Sequence, residues 1–445
     1  MIKITKKILE SAKSGGIATY YRRYLQREGL SCEQVKFIQG ESDFCDCHFA
    51  RISNDNGKTY GEWKKVKKEE SIVSYGGDEY WTIKLPYGKV YNPVHKHYVY
   101  SYMTRYFVDG HKIAYEKSWS EGNGIGKNGI QGCFDHQFIS VLDDNGNVLT
   151  DKMVKYERGN DFNPENPRDV EFLLKNNGYQ GANGDIIVLK NGDILFAVAP
   201  RVVSACQLAG ISPEPYNNVG ELDNDFRAVM VARGVFNKKT NGYDLTFSNP
   251  LMFDKHLCSR GVMEPILAEL ESGKLLLVMR GSNLNYPGWN TCVKEGTPGY
   301  KWYSISNDGG KTFSEPKPWQ FDNGDMVYSP SSIFALIRSS KNNKLYWVGN
   351  VTDNKAYGNF PRFPLNIAQV SEETGLLIKD TFTEIDTKQK GETERVQLSN
   401  FYILEDRETL KIEITLSKIG QYNTGIEDES KVFYGDAMLY EIELD

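Results

Sequence analysis

The chain has no apolar run of the roughly 18 residues that would cross a bilayer. It also has no basic excess: 53 Lys and Arg stand against 59 Asp and Glu, for a net charge of −6. The first absence argues against a membrane-spanning helix. The second argues against nucleic acid as a partner, since such proteins gather a basic face. The opening residues, Met1 to Glu10, lack the continuous apolar stretch of a secretory signal, and this leads to the expectation of a cytoplasmic protein. Histidine is scarce at six, and the seven cysteines (Cys32, Cys45, Cys47, Cys133, Cys206, Cys258, Cys292) are odd in number. That pattern in a long chain does not read as a disulfide framework; free thiols or metal ligands suit it better. What is present is ordinary for a chain with a real core: 40% hydrophobic, 12% aromatic and 25% charged residues. An anionic ligand remains admissible if its site concentrates Arg, Lys or His against the overall sign.

Short β-rich runs alternate with Gly, Asn and Asp turns. Phe138–Leu142 and Val148–Leu149 flank Asp143-Asp-Asn-Gly-Asn147. Asp185–Leu189 and Ile194–Val198 flank Lys190-Asn-Gly-Asp193, and Pro265–Leu270 and Leu275–Met279 flank Glu271-Ser-Gly-Lys274. Weaker copies run from Phe334 to Val348 and from Phe401 to Leu416. Such turns supply the positive φ angles that hairpins need. Helical periodicity is confined to Ile4–Ala12, so residues 1–30 are expected to be partly helical.

Two octapeptides, Ser53-Asn-Asp-Asn-Gly-Lys-Thr-Tyr60 and Ser306-Asn-Asp-Gly-Gly-Lys-Thr-Phe313, share the pattern Ser-x-Asp-x-Gly-x-Thr-aromatic. The Asp accepts turn N–H groups, the Gly permits an unusual dihedral and the aromatic plugs between strands. They resemble the Asp boxes of sialidase-like and other β-propellers. The expectation is therefore an all-β chain forming a single β-propeller domain over 1–445. Its blades would be four-stranded and antiparallel, at roughly 40 to 60 residues each, which favours seven and allows six. A strand within Lys431–Leu444 would pair with an N-terminal strand to close the last sheet edge. The polar stretches 116–131 and 157–181 read as long loops, where binding residues tend to sit.

Several constellations could carry chemistry. His256-Leu-Cys258 would put two metal-competent side chains on one side of a strand, and Cys206 and Cys292 could complete a structural zinc site. The competing reading is buried cysteines acting as small hydrophobes. Cys45-Asp-Cys47-His48 reads as core packing, and His95-Lys-His97 as solvent-facing or structural. His111, His136, Tyr179 and Arg201 each lie near a strand end or loop. Together they offer what β-elimination at a uronic acid requires. A guanidinium pairs with the carboxylate, an imidazole takes the proton from the adjacent carbon, and a phenol or second imidazole protonates the leaving oxygen.

This order of residues resembles the propeller ulvan lyases and related rhamnose–glucuronate lyases over roughly residues 95 to 295. The resemblance implies His111, His136, Tyr179 and Arg201 as catalytic residues. It also implies a fold-bracing zinc on Cys206, His256, Cys258 and Cys292, with Cys206 where a His is expected. The implied partner is an anionic oligosaccharide or polysaccharide. A second resemblance is to the exo-sialidases: Glu264 to Arg280 is similar to their stretch with a site Glu and a carboxylate-binding Arg, and Arg362 looks like a further such Arg. Their Phe-Arg-Ile-Pro motif is absent, with His48-Phe-Ala-Arg-Ile-Ser53 as its nearest relic. Gln397-Leu-Ser399 stands where their nucleophilic Tyr would precede a Ser. A glycoside hydrolase using Glu264, Arg280 and Arg362, or a non-catalytic sugar-binding propeller, are the alternatives to the lyase.

Overall fold

The computed structural model describes residues 2–12, 16–40, 47–66, 70–75, 78–107, 124–126, 129–131, 133–157, 159, 163, 169, 172, 175–179, 186–216, 227–254, 256–259, 261–285, 293–352, 356–422 and 433–445. Side chains are not described for residues 70–83, 85–88, 105–107, 124–126, 129–131, 133–135 and 179.

Among the described residues the alternating runs form six antiparallel sheets of four or five strands, the pattern of an all-β, six-bladed propeller, and a separate two-stranded ribbon of Gly124–Gly126 with Gly129–Gln131. Six is the lower of the two counts that the length allows. Two compact units divide the sheets: residues 1–68 with 319–445, and residues 69–318.

In the second unit, blade 2 carries Asp78–Asn92, His97–Phe107, Cys133–Leu142 and Val148–Met153, with Glu70–Tyr75 as an extra edge. Blade 3 carries Gly178–Tyr179, Ile194–Pro200, Met230–Asn237 and Gly242–Phe247. Blade 4 carries Met263–Glu269, Leu275–Arg280, Lys301–Ser306 and Lys317–Pro318. The strand Ile194–Pro200 shows why the sequence folds this way. All seven of its residues are buried. Ile194, Phe196 and Val198 pack with Val99, Ile139 and Val141 of blade 2. Leu195, Ala197 and Ala199 pack with Leu267, Leu275, Leu277 and Met279 of blade 4. Alternation sends side chains to both faces, and both faces are covered, so the strand reads as a continuous apolar run. Each large side chain buried this way contributes about 1.5–3 kcal/mol.

In the first unit, blade 1 is built from Ile17–Tyr24, Cys32–Gln39, Cys47–Ser53 and Lys64–Val66. Blade 5 is built from Ala335–Arg338, Leu345–Asn350, Leu365–Gln369 and Thr383–Asp386. Blade 6 takes Tyr402–Glu405, Ile412–Ser417 and Ala437–Glu443, and receives Lys3–Glu10 as its outer strand. That pairing, Lys3 opposite Glu443 through Ile8 opposite Met438, is the expected closure of the last sheet. It also corrects the expected N-terminal helix: Lys3–Glu10 is a strand because an unpaired edge is waiting for it. Among the described residues the α-helical ones are Phe172, Lys175, Asn176 and Val202–Ala209, with one turn of 3-10 helix at Lys379–Thr381.

Both octapeptides close turns between the third and fourth strands of their blades. Asp55 Oδ1 accepts from Ser53 Oγ (2.8 Å) and Thr59 N (2.8 Å), and Oδ2 accepts from Thr59 Oγ1 (2.6 Å). Asp308 repeats this with Ser306 and Thr312 at 2.8, 3.0 and 2.6 Å. The threonine bonds hold both carboxyls low, at about 2. Gly57 and Gly310 take φ of 82° and 86°, which L side chains rarely adopt.

Candidate functional site

In blades 3 and 4 the connection from second to third strand repeatedly carries a cation. The strand Ile194–Pro200 ends at a proline, and Arg201 follows as the N-cap of the helix Val202–Ala209. Arg201 is 1% exposed. Its N–H donates to Asn177 O (3.3 Å), and its carbonyl accepts from Ala205 N (3.0 Å). Arg227 pairs with Arg201 in an antiparallel bridge and donates from Nη1 to Asn177 Oδ1 (3.1 Å). It bridges on its other side to Gly261. A Cβ on Gly261 would lie 2.1 Å from the Arg227 carbonyl oxygen, so this approach requires glycine.

In blade 4, Arg280 ends the second strand and Lys301 opens the third, directly opposite it. Directly opposed residues share a sheet face. Arg280 is 8% exposed and Lys301 is fully buried. Arg280 Nη1 donates to Glu264 Oε2 at 2.7 Å. Glu264 has φ of 47°, an uncommon conformation for a residue with a Cβ, where the pairing of the first two strands shifts register. Four buried cations, Arg201, Arg227, Arg280 and Lys301, thus stand at one type of strand end in a chain of negative net charge.

His136 is fully buried near the start of Cys133–Leu142, opposite Thr104, with its ring centroid 6.3 Å from that of Phe172. That strand packs beside Gly178–Tyr179, which in turn pairs with Ala199 and Pro200, one residue before Arg201. Positions 136 and 179 therefore lie on neighbouring strands, and 201 directly follows the next one. The Tyr179 side chain and all of His111 lie outside the described residues. Gly178 lets the strand approach the buried Tyr156, whose hydroxyl would be 2.4 Å from an added Cβ. Burial raises the Tyr156 phenol, and nearby Arg227 opposes that shift.

Three of the four expected zinc ligands, Cys206, His256 and Cys258, lie among the described residues. Cys206 sits in the helix, buried in the cluster between blades 2 and 3, with its Sγ 3.4 Å from Met252 Sδ. Burial pushes its thiol up to about 11. Cys258 is buried in the cluster between blades 3 and 4, where its thiol donates to Gly261 O (2.6 Å) and accepts from Ser282 N (3.1 Å). His256 is exposed. Cys292 lies outside the described residues. Among the described residues no three His, Cys, Asp or Glu form a metal-holding group. The His256-x-Cys258 alternation fails because the segment is a turn and not a strand. His95 and His97 are structural: the rings stack at 5.8 Å, and His97 Nε2 lies 2.8 Å from Tyr243 Oη. Their expected solvent-facing alternative fails for His97, which is buried.

In the first unit, Arg362 lies in the second-to-third-strand connection of blade 5. Its Nη1 donates to Gln397 Oε1 (2.8 Å) and Ser399 Oγ (3.4 Å), its Nε to Asn359 O (3.1 Å) and its Nη2 to Ser331 O (3.3 Å). Gln397, standing where the sialidase resemblance calls for tyrosine, is thus a direct neighbour of this guanidinium. Arg227, Lys301 and Asn177 were missed by sequence reasoning. Register alone brings them in, and no motif marks them.

No family profile matches the chain, and no curated protein matches it in sequence. Solved structures resemble it in fold. A protein of unknown function from Dyadobacter fermentans DSM 18053 aligns with TM-score 0.54 at 12% identity, covering 99% of each chain. NanB, in a structure with optactamide, aligns with TM-score 0.53 at 11% identity over 98% of this chain and 70% of the other. The leech intramolecular trans-sialidase, complexed with 2,7-anhydro-Neu5Ac, gives 0.48 at 12% identity over 96% and 67%. At these identities the likeness is one of fold, and the first two structures carry it.

Proposed function

We propose that this chain is a carbohydrate-active enzyme that cleaves an acidic oligosaccharide beside a uronic acid by β-elimination. The observation that carries the reading is the concentration of Arg201, Arg227, Arg280 and Lys301 at one type of strand end of an acidic chain. Such a cluster against the overall sign is what capture of a carboxylate needs. Support for the chemistry comes from the adjacency of the strands that carry His136 and Tyr179 and that lead into Arg201. In the proposed reaction Arg201 pairs with the substrate carboxylate and acidifies the proton on the neighbouring carbon. An imidazole, His136 or His111, takes that proton. The electron pair forms the new carbon–carbon double bond as the glycosidic C–O bond breaks. Tyr179 or the second imidazole protonates the departing oxygen, so no water is consumed. No step of this reaction uses a metal.

One observation favours a second reading. The Glu264–Arg280 pair on a left-handed bulge is the part of the sialidase resemblance that folds as a unit. Gln397 beside Arg362 counts against that alternative's covalent form, because a carboxamide cannot replace an aryl-oxide nucleophile. The test is direct. Purified protein is incubated with a rhamnose–glucuronate oligosaccharide and with a chromogenic sialoside. Elimination generates the ultraviolet absorbance of a conjugated enoate. Sialoside cleavage without that absorbance would overturn the lyase reading.

A further inference from the structure

We infer that the turn Tyr357-Gly358-Asn359-Phe360 of blade 5 is a sugar-stacking platform, binding one pyranose ring of an acidic oligosaccharide beside Arg362. The inference rests on the reading that this chain acts on carbohydrate, and it adds a binding site that the catalytic proposal does not use. Tyr357 and Phe360 exchange both backbone hydrogen bonds, Tyr357 N to Phe360 O (3.1 Å) and Phe360 N to Tyr357 O (3.3 Å). Residues paired in that manner stand about 5.5 Å apart at Cα with side chains on one face. The two residues are 56% and 42% exposed. A single exposed aromatic is common, but two on one face of a fixed two-residue turn make a contiguous apolar surface.

The turn is held from below. Gly358 is buried, with φ of 57°, and its carbonyl accepts from Ser331 N (2.7 Å). The Arg362 guanidinium ties the Asn359 carbonyl to the Ser331 carbonyl through Nε and Nη2. The platform is therefore ordered before any ligand arrives, which lowers the entropic cost of binding. The Arg362 charge beside the turn favours an acidic partner over a purely apolar one. A pyranose presents a C–H face for the rings and, when acidic, a carboxylate that the Arg362 charge attracts. The occupant that satisfies both is an acidic sugar.

The test uses ligand-observed NMR and titration with a rhamnose–glucuronate oligosaccharide. Proteins compared are the wild type, the double variant Tyr357→Ala/Phe360→Ala and the aromatic-preserving variant Tyr357→Phe. Because both rings are exposed, the thermal midpoint serves as the folding control and should stay within that of the wild type. The expected result is about tenfold weaker binding by the double alanine variant, from loss of two stacking contacts. Tyr357→Phe should keep affinity and the saturation transfer to ring-face sugar protons. Unchanged binding by the double alanine variant would overturn the platform and leave the catalytic reading standing. A wild type that binds no acidic oligosaccharide would overturn both.

Discussion

The Arg280 and Arg362 neighbourhoods solve the same placement problem with different chemistry. Both arginines sit at the transition from second to third strand of their blades. Arg280 is answered by a carboxylate, Glu264 at 2.7 Å, and stands opposite the buried Lys301. Arg362 is held by neutral oxygens of Gln397, Ser399, Asn359 and Ser331. The difference teaches that a propeller's repeated strand end fixes where a guanidinium goes, while the neighbouring residue sets how much of its charge is available to a ligand.

The comparison can be broken most forcefully at Arg280. Arg280→Met takes away the guanidinium that Glu264 pairs with at 2.7 Å in a largely buried place, and should cost about 3 kcal/mol of stability. Arg362→Met removes bonds to neutral oxygens and should cost less, about 1–2 kcal/mol. Denaturant midpoints of the two variants check the order; a reversed order would refute the assignment.

Acid should separate the two units next. Burial, with nearby His95 contributing, lowers the His97 imidazole to about 4. Its stabilising contribution is full above the unfolded value of about 6.5 and is lost as pH falls from there towards 4, because the unfolded chain then binds the proton first. The loss is about 3 kcal/mol. His97→Phe should flatten that part of the stability profile, measured by chemical denaturation across the same pH range.

Gln397→Glu would give Arg362 the kind of partner Arg280 already has. It should change stability by no more than about 1 kcal/mol and weaken binding of an acidic oligosaccharide about tenfold. Calorimetric titration of variant and wild type measures this. The smallest effect belongs to the outer turns, where the two units repeat one device. Asp55→Asn and Asp308→Asn should each lower the thermal midpoint by about 1–2 °C, and by similar amounts.

Much of the fold was legible because alternation and turn chemistry are local. The hairpins around Asn145, Asn191 and Ser272 and both octapeptide turns needed nothing beyond the sequence within a dozen residues. Ile4 and Ile8, four apart, imitate a helix. Only the remote partner Ala437–Glu443 makes that segment a strand. Seven blades fit the length at roughly 60 residues each, whereas the six sheets formed use more chain per blade. The candidate site was legible in part. Arg201 and Arg280 end recognisable apolar strands, so their location could be read. Arg227 and Lys301 join them only through pairing register, which distant residues determine. Spacing along the chain likewise cannot tell that Cys206 and Cys258 belong to separate core clusters.

The central claim is that this cationic strand end reads a sugar carboxylate. The most direct measurement compares wild-type binding and turnover of a rhamnose–glucuronate oligosaccharide with those of its carboxyl-reduced counterpart, identical except for the missing charge. The account predicts that reduction abolishes turnover and weakens binding about 100-fold, the loss expected for a charge-assisted, bidentate arginine contact. Equal handling of the acidic and neutral sugars would contradict it.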